Sequence, residues 1–305
     1  METGPLRASD PTVDPDPRVV AVVIPAFNER EGVPRTLDEL MAVLDTLDVS
    51  CEVVVVDDGS TDGTGDVAEA CGVRVVRLTS NRGYGAALKA GIAATSSELV
   101  AIIDADGTYP ADALPELLRR SAGIDMVVGA RPADSANIPA IRRPGKRLLT
   151  RLASFLSGTE IPDLNSGMRV IRRSALERFL PILPSGFSFT MTITLSLLCT
   201  EHQVLYVPIE YRPRIGDSKL RATDFMTFLI LVLRTVLLFN PLKVFLPLGG
   251  IVFLVGTVKF VYDLFLWNLS ESVVMAFLTA VILWTVGLLA DMIARLQLGS
   301  GSRRS

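Results

Sequence analysis

Two aspartates one residue apart, at the end of an apolar run, are the first residues in this chain that could do chemistry. Leu99-Val-Ala-Ile-Ile103 stops abruptly at Asp104-Ala105-Asp106, the pattern of a short buried strand ending in a turn. Residues two apart in an extended chain point the same way, so the spacing predicts both carboxylates leaving the strand tip on one side. Converging carboxylates repel each other unless a cation sits between them. Oxygen-only ligands suit Mg²⁺ or Mn²⁺, ions that commonly bridge the phosphates of a substrate. A solvated turn also favours Asp and Gly, so the pair gains weight only from the other strand ends. Asn28 and Glu29 follow the apolar run Val19–Pro25, and Asp57 and Asp58 end the run from Cys51.

The elements that must position these groups alternate regularly. Strands are expected over Val19–Pro25, Cys51–Asp57, Val73–Leu78, the run ending at Asp104, and Met126–Ala130. Helices are expected from Pro34 to Leu47, up to Cys71, up to Ala94, and over Ala111–Ala122. Strand and helix in turn predict a doubly wound α/β sheet, which binds ligands at the carboxyl ends of its strands. Gly83-Tyr-Gly85 tempts toward a dinucleotide fingerprint, but the third glycine is missing and the motif follows the third strand rather than the first. It reads instead as a closely packed helix start that could face phosphate through its amides. Further along, Asn165–Ile171 reads as loop and strand, Phe187–Cys199 as a core helix and Val204–Arg212 as a strand. Residues 1–17, rich in Pro and Asp, read as a disordered leader without a signal-peptide core.

Composition excludes several classes. The 305 residues carry a net charge of −3, and no basic, aromatic-laced stripe points to nucleic acid. Cys51, Cys71 and Cys199 have no disulfide or metal spacing and read as buried thiols in a reducing compartment. His202 is the single histidine, which leaves zinc chemistry and a Ser-His-Asp mechanism without their parts. Hydrophobic residues make up 49% of the chain, with the excess after Ala222. Phe225–Phe239 reads as an interfacial helix. Leu242–Trp267 and Val273–Ala290 are each long enough to cross about 30 Å of hydrocarbon. Lys and Arg flank this hairpin and avoid its turn, so both ends are expected in the cytoplasm. Arg131, Arg142, Arg143, Lys146, Arg147 and Arg151, laced with apolar residues, read as a surface helix or as a flap at the membrane for an anionic lipid head group.

Taken together, Val23-Ile-Pro-Ala-Phe-Asn-Glu29, Val56-Asp-Asp-Gly-Ser-Thr-Asp62, Asn81-Arg-Gly-Tyr-Gly85 and Asp104-Ala-Asp106 resemble the inverting family 2 glycosyltransferases of the GT-A fold. Asn165-Ser-Gly-Met-Arg169 and Gly216-Asp-Ser-Lys219 narrow the resemblance to the polyprenyl-phosphate (dolichyl-phosphate) sugar synthases. It implies a mixed, mainly parallel GT-A sheet in a catalytic domain over 18–220. An interfacial helix over 221–240, a membrane hairpin over 241–297 and a flexible tail over 298–305 would follow. It implies a nucleotide-sugar pocket lined by Pro25, Phe27, Glu29, Val56, Asp58 and Ala105, with Arg214 and Lys219 closing over the donor. Asp104 and Asp106 would hold Mg²⁺ or Mn²⁺. Arg131 matches the family's Gly-x-Arg at the phosphate site and, with Arg142, Arg143 or Arg151, would hold the acceptor phosphate. Some relatives place Gln two residues past the second Asp as a further metal ligand; here Thr108 stands there, and its hydroxyl or a water could substitute.

The reaction so implied moves a sugar from GDP-mannose or a UDP-hexose (or UDP-HexNAc) to a polyprenyl phosphate, with inversion. The acceptor is a phosphate monoester with a second pKa of about 6, already anionic at neutral pH, and needs little help from a base. A processive polysaccharide synthase is the rival enzyme, but its Gln-x-x-Arg-Trp motif is absent, since neither Trp267 nor Trp284 follows an Arg. A non-catalytic membrane scaffold is the rival outside enzymes, against which the acids and Arg131 stand intact. Association of the hairpins into a homo-oligomer is left open.

Overall fold

The computed structural model describes residues 19–132, 150–212 apart from 156 and 201, and 224–301 apart from 269. Seven strands form one sheet: β1 (Val19–Ala26), β2 (Ser50–Asp57), β3 (Arg74–Arg77), β4 (Leu99–Ile102), β5 (Met126–Ala130), β6 (Arg169–Arg172) and β7 (Val204–Pro208). Their order across the sheet is β3-β2-β1-β4-β6-β5-β7. Every pairing is parallel except those of β6, which runs antiparallel between β4 and β5. The α/β sheet expected from the alternation is therefore present, mixed and mainly parallel as the resemblance implied.

The central strands read as unbroken apolar runs because both faces of the sheet are covered. On one face Val20, Val22 and Ile24 of β1 pack with Val33, Leu37 and Leu40 of α1 (Gly32–Leu44), whose buried positions recur at helical spacing. On the other, Val23, Val54 and Val56 meet Ala87, Leu88 and Ile92 of α3 (Tyr84–Ala93), joined by Phe189, Ile193 and Leu197 of α7 (Phe189–Cys199). Shorter helices α2 (Thr64–Ala70), α4 (Leu114–Arg119), α5 (residues 150–155) and α6 (Arg173–Phe179) complete the layers. Of the Phe187–Cys199 stretch expected in the core, Phe189–Leu198 is buried there in α7, whereas Phe187 precedes the helix and is exposed.

A third cluster joins α7 to α8 (Asp224–Phe239), where Val232 and Val236 bury against Met191, Leu195 and Leu198. The opposite side of α8 leaves Ile230 and Leu238 exposed. Helices α9 (Leu242–Phe265) and α10 (Glu271–Gly301) form a hairpin, and each contains an 18-residue apolar window of mean hydropathy above 2 that is mostly uncovered by protein. Gly249 of α9 lies under Trp284, and Gly287 of α10 under Phe245, so missing side chains let the two helices close. Several boundaries differ from the sequence expectation: β4 ends at Ile102, β7 at Pro208, and α10 runs into the stretch expected as a tail. Cys71 is exposed, and Cys51 and Cys199 are half-buried, so the expectation of three buried thiols fails.

Candidate functional site

Loops at the carboxyl ends of β1, β2, β3 and β4 meet in one cavity of about 180 Å³. It is lined by Pro25, Ala26, Phe27 and Glu29 after β1, Asp58 after β2, and Asn81, Gly83, Tyr84 and Ala87 at the start of α3. Asp104, Ala105 and Asp106 after β4, and Phe187 before α7, complete the wall. Five of the residues expected to bind the donor (Pro25, Phe27, Glu29, Asp58, Ala105) and both expected metal ligands thus share a pocket at the sheet edge, where a doubly wound fold places its ligands.

Each loop is tied to its neighbour. Ser60 Oγ accepts the amide of Asn28 at 3.0 Å, Asn28 Oδ1 accepts the amide of Thr61 at 2.9 Å, and Thr64 Oγ1 accepts that of Glu29 at 3.0 Å. Asn28 sits at φ 52, a left-handed conformation that Asn tolerates better than most residues. Thr36 Oγ1 of α1 donates to Ala105 O at 3.1 Å, tying the β4 turn to the first helix.

Asp104 and Asp106 leave a turn rather than an extended strand, since β4 has already ended. They reach the same pocket with different supports. Asp104 Oδ1 accepts the hydroxyl of Tyr84 at 2.8 Å, and its carboxylate lies flat on the backbone of Gly167, where a Cβ would fall 2.7 Å from Asp104 Cγ. Gly167 is itself held, its amide donating to Tyr109 Oη at 2.7 Å. Asp106 Oδ1 accepts both the amide (3.1 Å) and the hydroxyl (2.6 Å) of the buried Thr108. Thr108 therefore orients Asp106 through these two bonds, a task that differs from metal ligation. Two carboxylates with only oxygen donors fit Mg²⁺ or Mn²⁺. Among the described residues no group of three or more His, Cys, Asp or Glu gathers into a site, so substrate phosphate oxygens and water would complete the coordination. Tyr84's pKa is raised well above its ordinary 10.0, by burial first and then by the charge of Asp104 and the bond to it; the phenol stays a donor.

Other expectations are corrected. Val56 is fully buried between β2 and α3, its side chain facing Gly91 and the core, and does not line the pocket. Around the start of α3, Arg82 N and Gly83 N both donate to Asp58 at 2.8 Å, and Ala86 N donates to Ser185 O at 2.9 Å, so the expected phosphate contact would fall to the amides of Tyr84 and Gly85. Arg131 also lies outside the pocket lining. Its Nε and Nη2 clasp Asp163 at 2.6 and 2.8 Å, and its guanidinium lies 5.2 Å from the Tyr211 ring centre. Burial works against this charge, yet the bonds to Asp163 hold its pKa above the ordinary arginine value. Arg131 is thus already paired and partly buried, so an acceptor phosphate would have to share it with Asp163. Arg151 is exposed on α5. Arg142, Arg143, Arg214 and Lys219 lie outside the described residues.

The sequence reading gave no role to several groups that the fold brings to the site. Asp163 clasps Arg131. Arg169 is fully buried behind it, donating to Ser166 O, to Thr190 O and to Thr194 Oγ1, and desolvation lowers its pKa. Phe187 stacks on Tyr84 with ring centres 5.7 Å apart. Asp163 and Arg169 are polar residues in and beside the Asn165–Arg169 motif, a signal that was readable; nothing local marks Phe187 except a glycine before it.

The family described as Glycosyl transferase family 2 matches residues 21–180, and that described as GtrB C-terminal hairpin matches residues 240–296. A dolichyl-phosphate hexose transferase of Haloferax volcanii is 34% identical over 203 residues, covering 66% of this chain and 86% of the relative. An undecaprenyl-phosphate 4-deoxy-4-formamido-L-arabinose transferase of Serratia proteamaculans is 32% identical over 250 residues, covering 78% and 73%. The crystal structure of glucosyl-3-phosphoglycerate synthase from Mycobacterium tuberculosis with uridine diphosphate superposes with a TM-score of 0.55 at 25% identity, over 72% of this chain and 79% of that one.

Proposed function

The chain belongs to glycosyl transferase family 2, and from that premise we propose that it moves a hexose from a nucleoside diphosphate sugar to a polyprenyl phosphate, at the cytoplasmic face of a membrane. The observation that carries the reading is the convergence of Asp58, Asp104, Asp106, Glu29 and Phe27 on one pocket in a chain that ends in an apolar hairpin. The Haloferax and Serratia relatives, named for transfer to or from dolichyl and undecaprenyl phosphate, support the acceptor class. The uridine diphosphate in the solved neighbour makes a UDP-hexose the first donor to test, with GDP-mannose beside it.

Transfer requires two anions, acceptor phosphate and donor diphosphate, to meet at the anomeric carbon. An acceptor oxygen attacks that carbon, the bond to the diphosphate breaks, the configuration inverts and the nucleoside diphosphate departs. A divalent ion between Asp104 and Asp106 would neutralise the leaving diphosphate. Tyr84 and Thr108 fix the two carboxylates before any ligand arrives, so little reorganisation is left for the reaction step. No general base is needed, since the phosphate monoester is largely ionised at neutral pH, in keeping with a chain whose one histidine, His202, faces Thr200 and Phe179. Arg131, arranged by Asp163, would contribute positive charge on the acceptor side, with Arg142, Arg143 and Arg151 as further candidates. Arg214 and Lys219 would close over the donor.

The test is incubation of membranes containing the full chain with UDP-glucose, UDP-N-acetylglucosamine or GDP-mannose and with undecaprenyl or dolichyl phosphate, followed by mass spectrometry of the lipid fraction. A polyprenyl-phosphate hexose is the expected product. Release of nucleotide without any lipid-linked sugar would overturn the acceptor, and absence of both would overturn the reading.

A further inference from the structure

We propose that Phe187, held in place by Tyr84, is the platform for the sugar ring of the donor and a determinant of which sugar is accepted. The proposal rests on the donor reading above and adds the residue that meets the hexose. Phe187 lines the pocket and stays 52% exposed although it is a large apolar side chain. It stacks on Tyr84 at an interplanar angle of 17°, and the Tyr84 hydroxyl is bonded to Asp104. The exposed ring is therefore linked through Tyr84 to an expected metal ligand.

The segment before Phe187 is anchored as firmly as the ring. Ala86 N donates to Ser185 O, and Lys89 Nζ reaches Leu183 O. A Cβ on Gly83 would fall 2.7 Å from Ser185 O, and one on Gly85 would strike Pro184 O. Glycine at both positions lets this loop lie directly on the start of α3. A rigid exposed aromatic loses little entropy when a ligand packs on it.

The position selects the sugar. In a nucleoside diphosphate sugar the hexose hangs directly on the distal phosphate, whereas the base is separated from both phosphates by the ribose. With the diphosphate at Asp104 and Asp106, a ring on the same pocket wall, joined to Asp104 through Tyr84, meets the hexose. The base end falls to Phe27, Asp58 and Asn81, on the part of the pocket built by the β1, β2 and β3 loops. The carbon-bound hydrogens on one face of a hexose give an apolar surface that complements an aromatic face.

The experiment uses the solubilised full chain with Mn²⁺, and calorimetry of UDP and of UDP-glucose, with GDP and GDP-mannose as a second pair. Phe187→Ala is expected to weaken the sugar nucleotide about tenfold, the equivalent of one lost aromatic contact, while the free nucleotide keeps its affinity within about twofold. Retained nucleotide binding also reports that the variant is folded. Phe187→Tyr is expected to keep both affinities. Equal loss for nucleotide and sugar nucleotide would place the ring on the nucleotide and overturn the proposal, as would no loss for either. A wild-type chain that binds neither sugar nucleotide would overturn the donor reading itself and this inference with it; binding that Phe187→Ala leaves intact would overturn the inference alone.

Discussion

Asp104 and Asp106 differ in what holds them, and that difference makes separable predictions. Asp104 depends on the hydroxyl of Tyr84 at 2.8 Å. Removing that bond while keeping the ring, in Tyr84→Phe, is expected to raise the Mn²⁺ concentration needed for half-maximal transfer about tenfold, the usual cost of losing an outer-shell partner. A metal titration of transfer measures it, and an unchanged titration would remove Tyr84 from the metal site. Because Tyr84's pKa is raised above 10.0, the bond stabilises the fold fully below that pH and is lost only as pH climbs through the folded value. Neutral and mildly alkaline assays therefore all report the bonded state. Asp106→Asn keeps an oxygen to accept from Thr108 and so keeps the turn, but it removes the charge. Transfer is expected to fall by about two orders of magnitude or more, as loss of several kcal/mol of charge stabilisation requires, with Tm nearly unchanged in a melting assay. At this scale the sequence was a good guide where chemistry and chain position coincide: both acids, Phe27, Glu29 and Asp58 reach the pocket. It misled at Val56, because a strand residue's face depends on register and Val56 falls on the α3 side. It was silent on Asp163, whose partner Arg131 lies 32 residues away, and it misplaced Phe187 in a core helix, because what that ring stacks on, Tyr84, lies across the fold.

At the scale of elements, the contact between the start of α3 and the loop before α7 joins the nucleotide side of the pocket to its far wall. The Gly83-Tyr-Gly85 motif was legible as a close approach, but not what approaches, since that is chain a hundred residues later. Gly85→Ala would drive a Cβ into Pro184 O, so the loop must move. Overpacking of this kind costs about 1–3 kcal/mol, and the expected outcome is a lower Tm together with weaker binding of a sugar nucleotide. A substitution that left both unchanged would show that the loop yields freely. The Arg131–Asp163 pair makes a second prediction. Asp163 is almost fully buried and Arg131 mostly so, and stripping one partner from a buried pair leaves an uncompensated charge at a cost of about 3 kcal/mol or more. Asp163→Ala should therefore lower the denaturation midpoint of the catalytic domain, whereas exposed pairs such as Arg35–Glu39 should be removable within about 1 kcal/mol. If Asp163→Ala melts like the wild type, the clasp adds nothing to stability and its task lies wholly in arranging Arg131.

Across the whole molecule, a soluble-looking catalytic layer is welded to a membrane hairpin. Val232 and Val236 of α8 are buried in the catalytic domain's third cluster, and only Asn240 and Pro241 separate α8 from α9. The pocket cannot drift far from the bilayer that holds a polyprenyl acceptor. Hydropathy made the hairpin legible, and Lys and Arg made its orientation arguable: Arg234 and Lys243 precede it, Arg295, Arg303 and Arg304 follow it, and the turn around Glu271 has neither. The rule that positive charge is retained on the cytoplasmic side predicts the catalytic domain and both chain ends there, with the turn opposite. The chain carries its own reporter, since Cys71 at the end of α2 is exposed. In intact cells a membrane-impermeant maleimide should leave Cys71 unlabelled, and in inverted vesicles it should react readily. Ser272→Cys, at an exposed position by the turn and in a Cys71→Ser background, should show the reverse. Labelling of Cys71 from outside intact cells would invert the topology and place the donor pocket away from the cytoplasmic sugar-nucleotide pool. Labelling of both sites from the same side would mean that the apolar pair does not cross the bilayer. Reaction of Cys71 only in inverted vesicles, with Ser272→Cys reacting only in intact cells, is the pattern that joins this pocket to a lipid phosphate on the cytoplasmic leaflet.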